Sequence, residues 1–138
     1  MIHKGEIMKK SNLKFTNPII TKLEYQINPQ NGENDKESIN ISNAFKASIK
    51  KIEDKNEAIV ELNIVIGEKD DNSSPFYVDM IMGAVFKWDN TYDEKTIQDL
   101  LSINAPALLL GYARPIVATI TNMSPFPSYN LPFYNFTE

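Results

Sequence analysis

The chain has 138 residues, 42% of them hydrophobic and 23% charged, with a formal net charge of -4. That length fits one domain, and an acidic balance without a basic stripe excludes generic nucleic-acid binding. The lack of cysteine excludes a disulfide scaffold, a thiol nucleophile and a cysteine zinc site.

The opening "MIHKGEIMKKSNLKF" has no apolar core of signal-peptide length. Residues 1–12 are expected to be poorly ordered, with Met8 an alternative start, and residues 13–138 to form a single domain. "ITKLEYQIN" (20–28) alternates as a strand, with Leu23, Tyr25 and Ile27 on one face. "PQNGENDKES" is turn-rich and predicts a long exposed connection. Residues 39–53 form a less regular extended run in which Phe45, Ala47 and Ile49 share a face. "DKNE" is a hairpin turn, and "AIVELNIVI" (58–66) alternates strictly from Ala58 to Ile66. A longer turn, "GEKDDNSSP", leads to the longest strand, 76–88. Phe76, Val78, Met80, Met82, Ala84, Phe86 and Trp88 lie on one side of it, and Asp79 with Ile81 and Gly83 on the other. Short sequential turns favour an antiparallel meander of about four strands.

The period then changes. "TYDEKTIQDLLSIN" has capping-box spacing, Thr91 with Glu94, or Asp93 as the N-cap. Ile97, Leu100 and Leu101 make a helical stripe. Pro106 suits the first turn of a second helix, and Leu109, Tyr112, Ala113, Ile116, Ile120 and Met123 keep a 3.6 period. Leu108, Gly111 and Ala118 fill the opposite side. Residues 105–120 carry one charge, Arg114, and by themselves are too short for a membrane span. Pro115 is expected to kink or break the helix. The segment 124–138 holds three prolines and five aromatics and is expected to be extended.

A helix apolar nearly all round must be covered on more than one side. One four-stranded sheet covers one side, so the other cover is expected from a second subunit. Leu109, Tyr112, Ala113, Ile116 and Ile120, with Val78, Met80 and Met82 on the last strand, are the expected interface.

Catalytic groups are scarce. The one histidine, His3, lies near the start, and no glycine loop cradles a phosphate. "DDNSS" (70–74) has the opening of a calcium loop, but Pro75 stands at the glycine position and Ile81 at the glutamate position. No catalytic residue, metal or cofactor is expected. Glu24, Glu61 and Asp79 fall mid-strand on the polar face, either as a solvated acidic face or as a dock for a basic partner.

"PALLLGYARPIVATITNMSPFPSYNLPFYNF" resembles the SecB family of bacterial chaperones. The resemblance rests on Pro106, Tyr112-Ala113-Arg114, Phe126-Pro127, Asn130-Leu131 and Asn135-Phe136. Gly83, Val85 and Phe86 resemble the end of that family's fourth strand, and "TKLEYQINP" its first. The resemblance implies an α+β fold, a four-stranded antiparallel sheet with C-terminal helices packed on one face, assembled as a dimer of dimers. It implies no catalysis, but the holding of unfolded export precursors in the cytoplasm, without membrane insertion, and their transfer to the SecA motor. The peptide-binding groove is then expected along Phe45, Phe76, Phe126, Leu131, Phe133 and Phe136. Against the family pattern, the helical C-terminal tail that contributes to SecA contact has no match after Phe136. The crossover 28–38 lacks the family's aromatics, and Leu23 and Ile27 align where the acidic docking surface has charges. SecB-like proteins also serve as dedicated antitoxin chaperones, a second expectation.

Overall fold

The computed structural model describes residues 13–28 and 41–137. The expectations for residues 1–12, His3 and Met8 among them, and for most of the crossover lie outside these. Among the described residues the strands are β1 (Lys14–Phe15), β2 (Ile19–Ile27), β3 (Asn43–Lys51), β4 (Glu57–Ile66) and β5 (Phe76–Lys87). They form one antiparallel sheet with a helix on one face, an α+β architecture. The four-stranded meander needs correction. Only β3, β4 and β5 follow one another as a meander. β2 lies beyond β5, paired from Ile19 opposite Gly83 to Ile27 opposite Phe76, and β1 extends that edge opposite Phe86 and Lys87. Pro18, which has no amide to give, separates the two. Thr16 carries the ladder there: its amide donates to the Val85 carbonyl and its hydroxyl accepts from the Val85 amide, both at 3.0 Å.

The two ends of the 29–40 crossover are tied to one turn, 67–75. The Asn28 amide donates to the Pro75 carbonyl, and its buried side chain to the carbonyls of Glu68 and Ser74, at 2.8 and 3.0 Å. On the other side the Gly67 amide donates to the Ser42 carbonyl. Gly67 has φ +73°, and a Cβ there would stand 2.1 Å from the Phe76 carbonyl oxygen, so only glycine fits.

The core lies between the sheet and the helix. β4 buries Ala58, Val60, Leu62, Ile64 and Ile66, and β5 buries Phe76 through Phe86 at every second position. Each large side chain among them contributes about 1.5–3 kcal/mol by leaving water. Helix α1 (Glu94–Asp99) starts at Asp93, whose carboxylate accepts from the Thr96 amide at 2.8 Å. Thr91 instead closes a small turn on Asp89. A wide π-type segment, Leu100–Asn104, joins α1 to α2 (Ala105–Thr121), with the Ala105 amide donating to the Leu100 carbonyl five residues back. Pro106 accounts for it. Its ring crowds the carbonyl four residues back and it donates nothing, and the wider turn makes room.

The result is one continuous helix, 94–121, rather than two, and it runs through Pro115 without a break. At 28 residues it is long and apolar enough to cross a membrane by length and composition, unlike the stretch 105–120 taken alone. Its Leu109, Leu110, Ala113 and Val117 are buried in the chain's own core.

Candidate functional site

Three surfaces carry the expected site residues. The first lies where the C-terminal segment crosses from α2 to β3. Leaving the helix, the Tyr129 amide donates to the Thr121 hydroxyl at 2.7 Å, and that hydroxyl donates to the Val117 carbonyl. Arg114, the lone charge of α2, donates twice to the Leu131 carbonyl, at 3.1 and 2.8 Å. Its guanidinium also lies 4.0 Å over the Phe133 ring. Tyr134 then meets Phe45 of β3 and Phe136, both at 4.8 Å between ring centres. Asn43 donates to the Tyr129 hydroxyl at 2.6 Å.

The expected groove residues therefore divide. Phe76 and Leu131 are core residues; Phe76, edge-on to Tyr129, still borders the cleft beside Phe126, whereas Leu131 is turned into the core. Phe45 and Phe136 are half-buried against Tyr134. Phe126 is half-buried beside a cleft of about 420 Å³ with Ile41, Pro75, Pro125 and Pro127. Phe133 is 87% exposed. The sequence reading missed the open part of this surface. Ile49, 41% exposed, faces Leu101, Gln98 and Ser102 across a cleft of about 580 Å³. Its signal was present, since Ile49 shares a face with Phe45, but which strand lies at the edge is set by the topology. Among the described residues, no backbone group hydrogen-bonds to the outer edge of β3, whose one tie there is the Asn43 side chain to Tyr129.

The second surface is the outer sheet face. Glu24 stands opposite Asp79, and Glu61 opposite Gly83, so the three acids do share a face. It is not a bare acidic one. Asp79 is nearly buried and accepts from Lys22 and Asn63, each at 2.8 Å, and from the Tyr77 hydroxyl at 3.3 Å. Burial opposes its charge, but the hydrogen bonds from Lys22 and Asn63, with the Lys22 charge, outweigh that. The Asp79 carboxyl is held below the ordinary carboxylate range, and the Lys22 ammonium is raised by its hydrogen bond to Asp79. Glu24 pairs with Lys69 at 2.7 Å. Ile59, Ile81, Val65 and Val85 lie half-buried among these charges.

The third surface is the helix. Val78, Met80, Met82, Leu109 and Ala113 were expected beneath a neighbouring subunit. They are buried within this chain instead, because α2 lies directly over β4 and β5. What α2 leaves outward is Tyr112 at 46% exposure, with Ala107, Gly111, Pro115 and Thr119, and with Leu108, Ile116 and Ile120 half-buried. No charged side chain stands among them. Phe15 of β1 meets Tyr112 edge-on at 6.2 Å, so this apolar face continues onto the β1–β2 edge. Among the described residues, no cluster of histidine and carboxylates could hold a metal ion.

Comparison with known proteins places this architecture. The family model described as preprotein translocase subunit SecB matches residues 22–138. An uncharacterized protein of Methanocaldococcus jannaschii is 29% identical over 94% of this chain and 83% of its own. The protein-export protein SecB of Rhizobium etli is 28% identical over 57% of this chain and 49% of its own. That of Roseobacter denitrificans is 30% identical over 58% and 48%. These matches span about half the length of the two export proteins. Among solved structures, the Mycobacterium tuberculosis SecB-like chaperone in complex with a ChAD peptide from the HigA1 antitoxin has a TM-score of 0.68. It has 11% identity, over 90% of this chain and 88% of that one. A protein of unknown function from Streptococcus agalactiae has a TM-score of 0.54 at 14% identity, over 91% of this chain and all of its own.

Proposed function

Because the chain belongs to the SecB family, we propose that it is a holding chaperone, not an enzyme, that binds unfolded polypeptides in the cytoplasm without ATP. The supporting observation is the edge of β3, which has no strand partner among the described residues and carries the exposed apolar side chain of Ile49, with Phe133 exposed on the C-terminal segment. An unfolded chain differs from a folded one in having free backbone groups and uncovered apolar residues. This edge offers a partner to both. Each contact is weak, but several along one client raise the affinity. Binding the unfolded state alone then lowers the client's apparent stability by mass action.

Two further parts belong to the same reading. The uncharged outer face of α2, continuous with Phe15, supports assembly into a homo-oligomer, a dimer of dimers, without membrane insertion. Ile116→Asp or Tyr112→Glu then lowers the mass seen by light scattering, whereas a wild-type monomer at micromolar concentration sinks the assembly. The client is an export precursor on this reading, passed on to SecA. The antitoxin-bound structure of a SecB-like chaperone with the same fold supports a second reading, one antitoxin as dedicated client.

The test is refolding. A slow-folding precursor mixed with near-stoichiometric chaperone is retarded, and Phe126→Asp or Phe133→Asp relieves it. If unrelated clients refold unhindered while one antitoxin is bound, the dedicated reading replaces the general one. If neither is bound, the chaperone reading fails.

A further inference from the structure

β3 alternates two chemistries along the edge that has no strand partner among the described residues. Phe45, Ala47 and Ile49 point to the helix side, and Lys46, Ser48 and Lys50 to the outer face. Both lysines are exposed, and among the described residues neither has a carboxylate partner. Their neighbours on β4 are Asn63 and Ile59, with Glu61 opposite Ser48 between them. On the other side Ile49 and Leu101 floor an open cleft. An extended segment added to this edge meets both rows at once, since its side chains alternate as those of β3 do.

We propose that this edge selects segments in which apolar residues alternate with acidic ones, and that Lys46 and Lys50 are the residues that read the acids. The proposal rests on the reading of the β3 edge as the client site. Opposite charges facing each other across a strand pair stabilise it, and like charges destabilise it. The same row disfavours a second copy of β3. Antiparallel pairing centred on Ser48 sets Lys46 against Lys50 twice, and a shift to Ala47 still leaves them diagonal neighbours on one face. The edge thus discourages self-association through lysine, a common protection of exposed strands, while remaining open to carboxylates.

The test uses the whole chain and three short labelled peptides in which leucine alternates with glutamate, glutamine or lysine, read by fluorescence anisotropy. The glutamate peptide is expected to bind about tenfold tighter than the glutamine peptide, and the lysine peptide weaker than either. High salt narrows the gap. The variant K46E/K50E reverses the order, and K46Q/K50Q removes it, with folding of both checked by circular dichroism. Equal affinity for all three peptides overturns the selectivity and leaves the holding reading standing. If no peptide binds while precursors are still retarded, the edge is not the client site and the proposal falls alone. If precursors are not retarded either, both fall.

Discussion

β4 and β3 are neighbours in one sheet, nearly equal in length, and both alternate apolar with polar residues. In β4 every second residue is fully buried. In β3 most positions are exposed, including Ile49. The helix makes the difference, because α2 packs over β4 and β5, whereas β3 meets the helix at its Leu100–Asn104 turn, across the cleft beside Ile49. Alternation fixes which face a side chain takes, and the place of the strand in the sheet fixes whether that face is covered. The pair thus divides the work, with β4 holding the fold together and β3 keeping backbone and side chains available.

The strongest test of that division is a cavity in each strand. Leu62→Ala in β4 is expected to cost about 2–5 kcal/mol in chemical denaturation, and Ile49→Ala in β3 about 0.5 kcal/mol. Equal costs break the comparison. Next comes the clamp that carries the C-terminal segment to β3. Arg114→Ala loses two hydrogen bonds and a ring contact and is expected to cost about 2 kcal/mol. Amide exchange then speeds at residues 129–136 while β4 stays protected. Arg114→Lys recovers only part, because one ammonium does not reproduce the planar fork.

Smaller again is the charge cluster on the outer face of β5. Asp79→Ala is expected to cost about 1 kcal/mol, since Lys22 reaches water freely and Asn63 keeps its bond to the Met80 carbonyl. Because the folded Asp79 pKa is depressed, its stabilisation is present at neutral pH and is lost as pH falls through that depressed value. Lys22 has a raised folded pKa, so its share is lost only as pH rises through that value. Denaturation midpoints in acid and at neutral pH are therefore closer together in Asp79→Asn than in the wild type. Some acid sensitivity persists in that variant through Asp71, Asp89 and Asp93, whose carboxyls are also held low by hydrogen bonds. The smallest effect on stability, and the sharpest on function, is expected at Ile49→Asp. Folding changes little there, while retardation of a refolding precursor weakens.

Local patterns were legible where one physical constraint dominates. The alternation from Ala58 to Ile66, the cap at Asp93 and the apolar stripe through Ala113 each follow from period and hydrogen-bond needs. Long-range placement was not. No local signal puts β2 beyond β5, since that depends on where the 29–40 crossover ends, on Asn28 and Ser42. Met80 and Leu109 were legible as buried but not as buried by each other's elements within one chain. The same holds for Phe76 and Leu131, whose aromatic and apolar character suits a groove as well as a core. Arg114 stood out as the lone charge in an apolar helix, yet its partner is a backbone carbonyl, which no residue type announces.

That choice of partner has a consequence for how such a chain can change over generations. A main-chain oxygen is present whatever side chain the residue carries, so the grip of Arg114 is blind to most of the C-terminal sequence. Leu131 is constrained by its burial, but Phe133, Tyr134 and Phe136 can be exchanged without losing the anchor. The path of the segment can be inherited while its chemistry is rewritten, so that, on the holding-chaperone reading, a new client preference can arise there without a new fold.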